Sequence, residues 1–458
     1  TLTAFVASKN ETMGGLEELA ELNQLRGYLE ILYLDRVQPK PGGETNRKYL
    51  NEKRQLQRLK LKWDLGVEQT ESHHMSVLDA LEPHSDLGVL FLVGYQGETL
   101  STWLTSIPFT GLVKLSLHNC SGCKYLSEHD QLPKLKILQL VRLDNLKYIV
   151  KKPNRDADFY KTLQELTIID CHTLERWYEE CMSEDKFAGL FASPEMETFF
   201  ARISKLHVHN CPKLRRVPRL DMVLEGSTST SFGKELVLEG SSLNLLLESV
   251  ESSIPCENLH IQNCKDLKNL SNFFQHLGSL QRLTIENCAE IKLDEGKSKL
   301  LEELEKKKFF AQSNLEDGKS NQYWEVLKSL RFLTLREMPN IRSLSFGDSI
   351  ATLRELTLHS CHGLTSISDI GKLTSLRELS LHNCHGLTSI SDSIGNVTSL
   401  RRLEISKCNK LKSLPKTMEN LQSLKTLIIL DCELLLPRCQ PETGDDWPQI
   451  LHIADIQV

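Results

Sequence analysis

One phrase, Leu-x-x-Leu-x-Leu-x-x-Cys, recurs at near-constant spacing and limits the fold more than anything else in these 458 residues. Four copies run almost unbroken: Leu353-Leu356-Leu358-Cys361, Leu376-Leu379-Leu381-Cys384, Leu400-Leu403-Ile405-Cys408 and Leu424-Leu427-Ile429-Cys432. Their cysteines stand 23, 24 and 24 residues apart. Inside each copy the x-Leu-x-Leu-x stretch alternates as a strand with one buried face does. A unit this short cannot bury that face alone, whereas stacked neighbours can. A fixed period of this length therefore describes a solenoid with one strand and one return segment per turn. Such a chain presents a long surface rather than an enclosed cavity, which points to binding before catalysis.

Nine of the thirteen cysteines close a copy of the phrase. With the closing position as a register mark, about fifteen turns can be aligned, marked by Leu34, Asp64, Tyr95, Cys120, Leu143, Cys171, Cys211, Ser241, Cys264, Cys288, Met338, Cys361, Cys384, Cys408 and Cys432. Leu34 and Ser241 fit least well. The expected fold is an α/β leucine-rich-repeat solenoid, a horseshoe with a parallel β-sheet on its concave face and irregular or short helical convex segments. A second apolar pair returns the chain after each mark, as in Leu364 and Ile367 or Leu387 and Ile390. Pro415 in Leu411-Lys412-Ser413-Leu414-Pro415 sets a turn and limits helix formation.

The whole of 1–458 is expected to be a single repeat domain, with irregular N-terminal repeats and a loop over 1–55, insertions at 172–202 and 289–327, and a C-terminal cap over 433–458. Pro39-Lys40-Pro41-Gly42-Gly43 forms a turn-rich loop, followed by a short helix before residue 56. The first insertion is acidic and holds Trp177 and Tyr178. In the second, Ser298 to Phe310 reads as a solvated helix: Leu300, Leu301 and Leu304 share a face, and Glu302–Lys306 and Glu303–Lys307 are i,i+4 pairs.

Composition excludes several classes. A net charge of -6, with 25% charged and 40% apolar residues, is ordinary for a globular chain. There is no run of 18 apolar residues, so no membrane span is expected. Thr1-Leu2-Thr3-Ala4-Phe5-Val6 lacks the basic start and apolar run of a signal peptide, and the missing initiator Met suggests a fragment or processed form. A phrase cysteine reads as a small buried residue whose weak S–H donor meets backbone carbonyls at the bend. Cys256 fills the first apolar slot of its repeat, and Cys120-x-x-Cys123 has no second pair to complete a zinc site. Many unpaired thiols imply a reducing, intracellular setting, and the cytoplasm is expected.

Catalytic and metal chemistry find no support. Alternation turns His359 and His382 outward and Cys361 and Cys384 inward, so neither a tetrahedral zinc site nor a Cys–His nucleophile assembles. Gly296-Lys297-Ser298 has the tail of a phosphate loop, but Ile291 stands where the first glycine belongs. No enzyme, metal or cofactor is expected in this chain.

The outward positions of the regular strands are the expected protein-binding face: Glu355, Thr357 and His359; Glu378, Ser380 and His382; Arg402, Glu404 and Ser406; Thr426, Ile428 and Leu430. Parallel strands about 4.8 Å apart align these into columns. A mixed polar face with an apolar end can grip a protein through a few desolvated anchors inside a polar rim. The strongest charge feature is residues 47–62, where Arg47, Lys48, Lys53, Arg54, Arg58, Lys60 and Lys62 oppose only Glu52. That is +7 against -1, leaving -12 for the remainder of a -6 chain. Arg58, Lys60 and Lys62, on one strand, are expected to contact an acidic protein surface. Nucleic acid fits less well, because no aromatic stacking series accompanies the basic run.

Three segments carry a family resemblance. They are Gly15-Leu16-Glu17-Glu18-Leu19 followed by Leu22-Asn23-Gln24-Leu25-Arg26-Gly27-Tyr28-Leu29-Glu30-Ile31; Leu56-Gln57-Arg58-Leu59-Lys60-Leu61-Lys62-Trp63; and the ending Arg438-Cys439-Gln440, Gly444-Asp445-Asp446-Trp447-Pro448-Gln449-Ile450, His452-Ile453 and Asp455-Ile456. With phrases such as Asn210-Cys211-Pro212-Lys213-Leu214, they make the chain resemble the leucine-rich-repeat domain of plant coiled-coil-type nucleotide-binding (NLR) disease resistance proteins. The resemblance implies recognition of a pathogen effector or a guarded host protein on the concave face, and restraint of the receptor's own nucleotide-binding domain. It places ADP or ATP on that domain only. The alternative is a leucine-rich-repeat substrate adaptor of a ubiquitin ligase, which needs a helical adaptor-binding segment before the repeats. An extracellular receptor would instead show capping cysteine pairs and a Gly-x-Ile-Pro return phrase.

Overall fold

The computed structural model describes residues 3–7, 15–37, 48–64, 70–105, 111–126, 134–150, 162–178, 204–214, 235–240, 256–264, 267, 270–291, 326–346 and 350–458. The chain divides into two compact units, Thr1–Phe232 and Gly233–Val458.

In the first unit, Ala4–Val6, Gly27–Leu32, Leu56–Lys62, Val89–Val93, Lys114–His118, Ile137–Val141, Glu165–Ile169 and Lys205–His209 pair in chain order, each parallel to the next. In the second, Glu235–Glu239, Asn258–Gln262, Arg282–Glu286, Phe332–Arg336, Glu355–His359, Glu378–His382, Arg402–Ser406, Thr426–Leu430 and Asp455–Gln457 do the same. Each unit is a leucine-rich-repeat solenoid with a parallel sheet along one side.

Register follows from the phrase. Leu333, Leu356, Leu379, Leu403 and Leu427 oppose one another across successive strands, as do Leu335, Leu358, Leu381, Ile405 and Ile429. All ten are at most 1% exposed. Each such side chain contributes about 2 kcal/mol of burial, and a one-residue slip would turn the whole row out to water.

Two devices bend the chain out of each strand. The residue before the mark is left-handed, with φ between 49° and 60°, at Tyr33, Asn119, Arg142, Asp170, Asn210, Asn263, Asn287, Glu337, Ser360, Asn383, Lys407 and Asp431; Gly94 and Gly240 fill the same place. Asn, Asp and Gly tolerate that region best, which explains why they recur there. The mark itself is the second device. At Cys120, Cys171, Cys211, Cys264, Cys288, Cys361, Cys384, Cys408 and Cys432, Sγ donates at 3.1–3.6 Å to the carbonyl two residues earlier. It also lies 3.6–4.0 Å from a carbonyl of the preceding turn. The thiol thus occupies the bend as expected, and the carbonyl two residues earlier accepts from it in addition to a backbone N–H of the preceding turn.

The return side is more regular than expected in places. Ser343–Ser345, Ser366–Ser368 and Ser389–Ile390 form a narrow second parallel ladder, and Tyr148–Val150 pairs with Arg176–Tyr178. Polar residues flank the buried Leu344, Ile367 and Ile390, so these segments alternate as strands do. Short 3-10 turns follow at Ile370–Lys372, Asp392–Asn396 and Lys416–Asn420. Leu411-to-Pro415 remains without a strand.

Several expected boundaries move. Residues 172–178 continue their repeat, with Leu174 buried and Arg176–Tyr178 paired, and Ile291 is likewise buried in its turn. The breaks therefore start later than 172 and 289. The loop Pro39 to Gly43 and the helix expected over Ser298 to Phe310 lie outside the described residues. Residues 48–55 are turns rather than a helix, pinned where Leu50 bridges Pro83 and Lys53 folds inward. A helix that the sequence did not suggest, Glu71–Ala80, is capped by Thr70, whose Oγ1 accepts from the His73 N–H at 3.3 Å. It buries His74, Val77 and Leu78.

The last turn needs a cover. Ile450, from the helix Trp447–Ile450, and Ile453 are buried there. Asp446, 2% exposed, accepts from Arg438 Nη2 at 2.8 Å, Arg438 Nε at 3.2 Å and the Leu414 N–H at 2.9 Å. A side chain at Gly444 would place Cβ 2.1 Å from the Arg438 carbonyl oxygen. Arg438, Gly444 and Asp446 in the ending are thus parts of one lock. Among the described residues, no helix is long and apolar enough to cross a membrane.

Candidate functional site

Alternation leaves one side of each sheet to solvent, and parallel pairing turns that side into rows. In the second unit the first row runs Glu235, Asn258, Arg282, Phe332, Glu355, Glu378, Arg402, Thr426, Asp455. The second runs Val237, His260, Thr284, Thr334, Thr357, Ser380, Glu404, Ile428, Gln457. The third runs Glu239, Gln262, Glu286, Arg336, His359, His382, Ser406, Leu430. All twelve expected positions of the face fall in these rows.

Their environments differ. The His359 and His382 rings lie 6.2 Å apart. His382 Nδ1 is 2.8 Å from Ser406 Oγ and its Nε2 is 4.0 Å from Glu404. Burial holds the His382 pKa below the usual imidazole value, against the opposing pull of Glu404. Glu404 also receives Arg402 at 3.0 Å, and the Arg282 guanidinium lies 4.0 Å over the Phe332 ring. The apolar end is smaller than expected. Ile428 is only 7% exposed beside the strand of Gln457, whereas Leu430 is 47% and Leu434 48% exposed.

The basic run does not form one exposed patch. Lys53 is 1% exposed, its Nζ donating to the Ala20 carbonyl at 2.9 Å and Asn23 Oδ1 at 2.7 Å. Lys48 pairs with Glu82 at 2.5 Å and Lys60 with Glu30 at 2.9 Å. Arg58, Lys60 and Lys62 do share the open side of Leu56–Lys62, with Arg58 and Lys62 well exposed. Arg47 lies outside the described residues.

A second surface was missed in the sequence. On the open side of the first unit, Arg58, Val89, Lys114 and Ile137 form one row; Lys60, Phe91, Ser116 and Gln139 the next; Lys62, Val93, His118, Val141 and Ile169 a third. Val89, Phe91, Val93, Ile137, Val141 and Ile169 are only partly buried. Lys114 Nζ sits 5.5 Å over the Phe91 ring. Ser116 is fully covered, its Oγ 2.8 Å from His118 Nε2 and donating to Gln139 Oε1 at 3.1 Å. The available signal was Val89-Leu90-Phe91-Leu92-Val93, apolar at all five positions where a one-faced strand alternates.

The twelve described cysteines are buried. Burial pushes the Cys120 and Cys256 thiols up to about 12, far from a nucleophile's range. The imidazoles of His359 and His382 approach hydroxyls, of Ser360 and Ser406, rather than thiols. Among the described residues, no group of three or more His, Cys, Asp or Glu could hold a metal ion.

Residues 16–143 match the family of R13L1/DRL21 leucine-rich repeats. A putative disease resistance protein of Arabidopsis thaliana is 30% identical over 217 residues, 44% of this chain and 14% of that protein. The disease resistance protein RGA2 of Solanum bulbocastanum is 26% identical over 301 residues, 64% of this chain and 26% of that protein. The chain thus spans 14% and 26% of these relatives' length. A leucine-rich-repeat protein of Leptospira interrogans covers 99% of both chains with a TM-score of 0.41 and 18% identity.

Proposed function

We propose that this chain, a leucine-rich-repeat domain of the kind carried by plant nucleotide-binding disease resistance proteins, recognises a pathogen effector or a guarded host protein on the open side of its second unit and helps restrain the receptor's nucleotide-binding domain. The observation that carries the proposal is the in-register face of Glu355, Thr357, His359, Glu378, Ser380, His382, Arg402, Glu404, Ser406, Thr426 and Leu430. Stacking fixes the leucines beneath these positions and leaves the positions themselves free to vary, which suits a surface selected for a partner.

Restraint is assigned to the first unit, with Arg58, Lys60 and Lys62 meeting an acidic surface of the nucleotide-binding domain. Ligand on the second unit's face favours an arrangement in which that contact is released, and only a difference in affinity between the two arrangements drives the change. In this scheme the repeats bind protein and perform no chemistry. ADP or ATP stays on the nucleotide-binding domain, the setting is cytoplasmic, and no nucleic acid takes part.

The test is an exchange of the outward residues between 353 and 430 in the full-length receptor, scored by which effector triggers a response. Altered specificity is expected, and unchanged specificity in every exchange overturns the assignment. Charge reversal at Arg58 and Lys62 in the same receptor is expected to raise ligand-independent signalling.

A further inference from the structure

We infer that the open side of the first unit, from Arg58 to Ile169, is a docking site for an acidic amphipathic helix. In its first row, basic and aliphatic residues alternate: Arg58, Val89, Lys114, Ile137. Neighbouring strands lie about 4.8 Å apart, so the two cations recur after about 10 Å. A helix laid across the strands advances about 5.4 Å per turn. Carboxylates seven residues apart then meet Arg58 and Lys114, while apolar residues one turn further on meet Val89 and Ile137. The parallel third row supplies Lys62 at the same end, then Val93, His118, Val141 and Ile169.

Charge complementarity selects the occupant. In the described strands of this unit, the open side carries Arg58, Lys60, Lys62, Lys114 and Lys205 against Glu30 and Glu165, a formal +3. The Lys60–Glu30 pair neutralises itself, and Lys114 lies over the Phe91 ring. Aliphatic side chains interleaved with cations in the first row, and following Lys62 in the third, complement a helix whose apolar stripe is edged by carboxylates. Nucleic acid is the weaker fit. The outer rows offer aliphatic side chains and the middle row Phe91, Ser116 and Gln139, so no series of aromatic rings is offered for base stacking. The inference gives a chemistry to the partner of Arg58 and Lys62 and holds whether that partner is the nucleotide-binding domain or another protein.

The experiment is fluorescence anisotropy with the 458-residue chain and a labelled synthetic helical peptide bearing Glu at every seventh position and Leu one turn after each. Binding is expected to weaken about tenfold or more in Arg58→Glu/Lys114→Glu, to survive in Lys114→Arg, and to fall with added salt. Lys412→Glu/Lys416→Glu, at exposed positions on the return side of the other unit, is expected to leave it unchanged. Circular dichroism checks that the variants fold; should the double reversal unfold, Lys114→Gln and a peptide series with Glu progressively replaced by Gln read the same dependence. The inference is overturned if the acidic peptide does not bind, if a Lys-for-Glu peptide binds as well, if oligouridylate RNA binds more tightly, or if the Lys412/Lys416 variant loses binding. Because the effector-exchange experiment concerns the second unit in the full receptor, either result can fail without the other.

Discussion

The two units share one backbone plan and differ in what their open sides carry. Among the described strands the first has five basic and two acidic residues there, with aliphatic side chains between them. The second has Arg282, Arg336 and Arg402 against Glu235, Glu239, Glu286, Glu355, Glu378, Glu404 and Asp455, a formal -4 among the described strands. Beneath both surfaces the inward rows are mostly leucine and isoleucine, with Phe5 and Val208 as exceptions in the first unit. Stability therefore constrains one side of each strand and recognition is free to act on the other, so two opposite surfaces can be built on one repeat. Faces of opposite sign attract different partners and respond to salt and pH differently.

Core damage should be the largest effect and should stay local, because each turn contacts only its neighbours. Leu381→Ala, at a fully buried site, is expected to cost about 2–5 kcal/mol. Hydrogen exchange should accelerate around residues 355–430 while residues 89–141 keep their protection; equal loss in both would break the distinction between units.

Acid should then separate the units in the opposite sense. His74 is 2% exposed and packs at 5.7 Å from Trp63 and 5.9 Å from Tyr95, and burial holds its pKa at about 4. Below the usual imidazole value the unfolded chain takes up a proton that the folded chain refuses. This stabilisation, roughly 3 kcal/mol, is therefore complete at neutral pH and is lost as pH falls from about 6.5 to 4. Thermal melts followed by Trp fluorescence should show residues around Trp63 loosening first, and a Trp63 signal flat across that range would contradict it.

A smaller loss is expected at the C-terminal lock. Asp446→Ala leaves the Leu414 N–H buried without its acceptor, a cost of about 1–3 kcal/mol. Limited proteolysis should open residues 433–458 while the first unit stays intact. Smallest is a gain. Lys407 holds φ at 53°, where glycine is at ease, so Lys407→Gly should stabilise by about 0.5–1 kcal/mol or be neutral. Asn383→Ala, at the equivalent place, should destabilise, since it also loses the bond its Nδ2 donates to Ser360 Oγ at 2.9 Å. Chemical denaturation distinguishes the two signs.

Legibility followed the strength of the repeat. From Leu353 to Cys432 the leucine spacing was enough to place strands, inward rows and thiols, because a pattern that must stack leaves few alternatives. Ala4–Val6 and Asp455–Gln457 were not foreseen, since three-residue strands without the full phrase owe their existence to a neighbour's edge. Glu71–Ala80 escaped because its few buried side chains include a histidine. The open side of the second unit followed from alternation, but the cover over Ile428 depends on a strand invisible to it. On the first unit, attention to charge at 47–62 hid two facts. Lys53 points inward, and the apolar residues of Val89–Val93 continue the surface that Arg58 and Lys62 begin.

The thiol behind so many bends has a practical consequence. An alkylating reagent cannot reach these sulfurs until the coil that encloses them opens, and the native chain carries one such sensor at nine separate marks. Timed labelling read by peptide mass spectrometry would give an opening rate for each of those coils, without any introduced probe, and would show directly whether a bound ligand tightens the coils it touches.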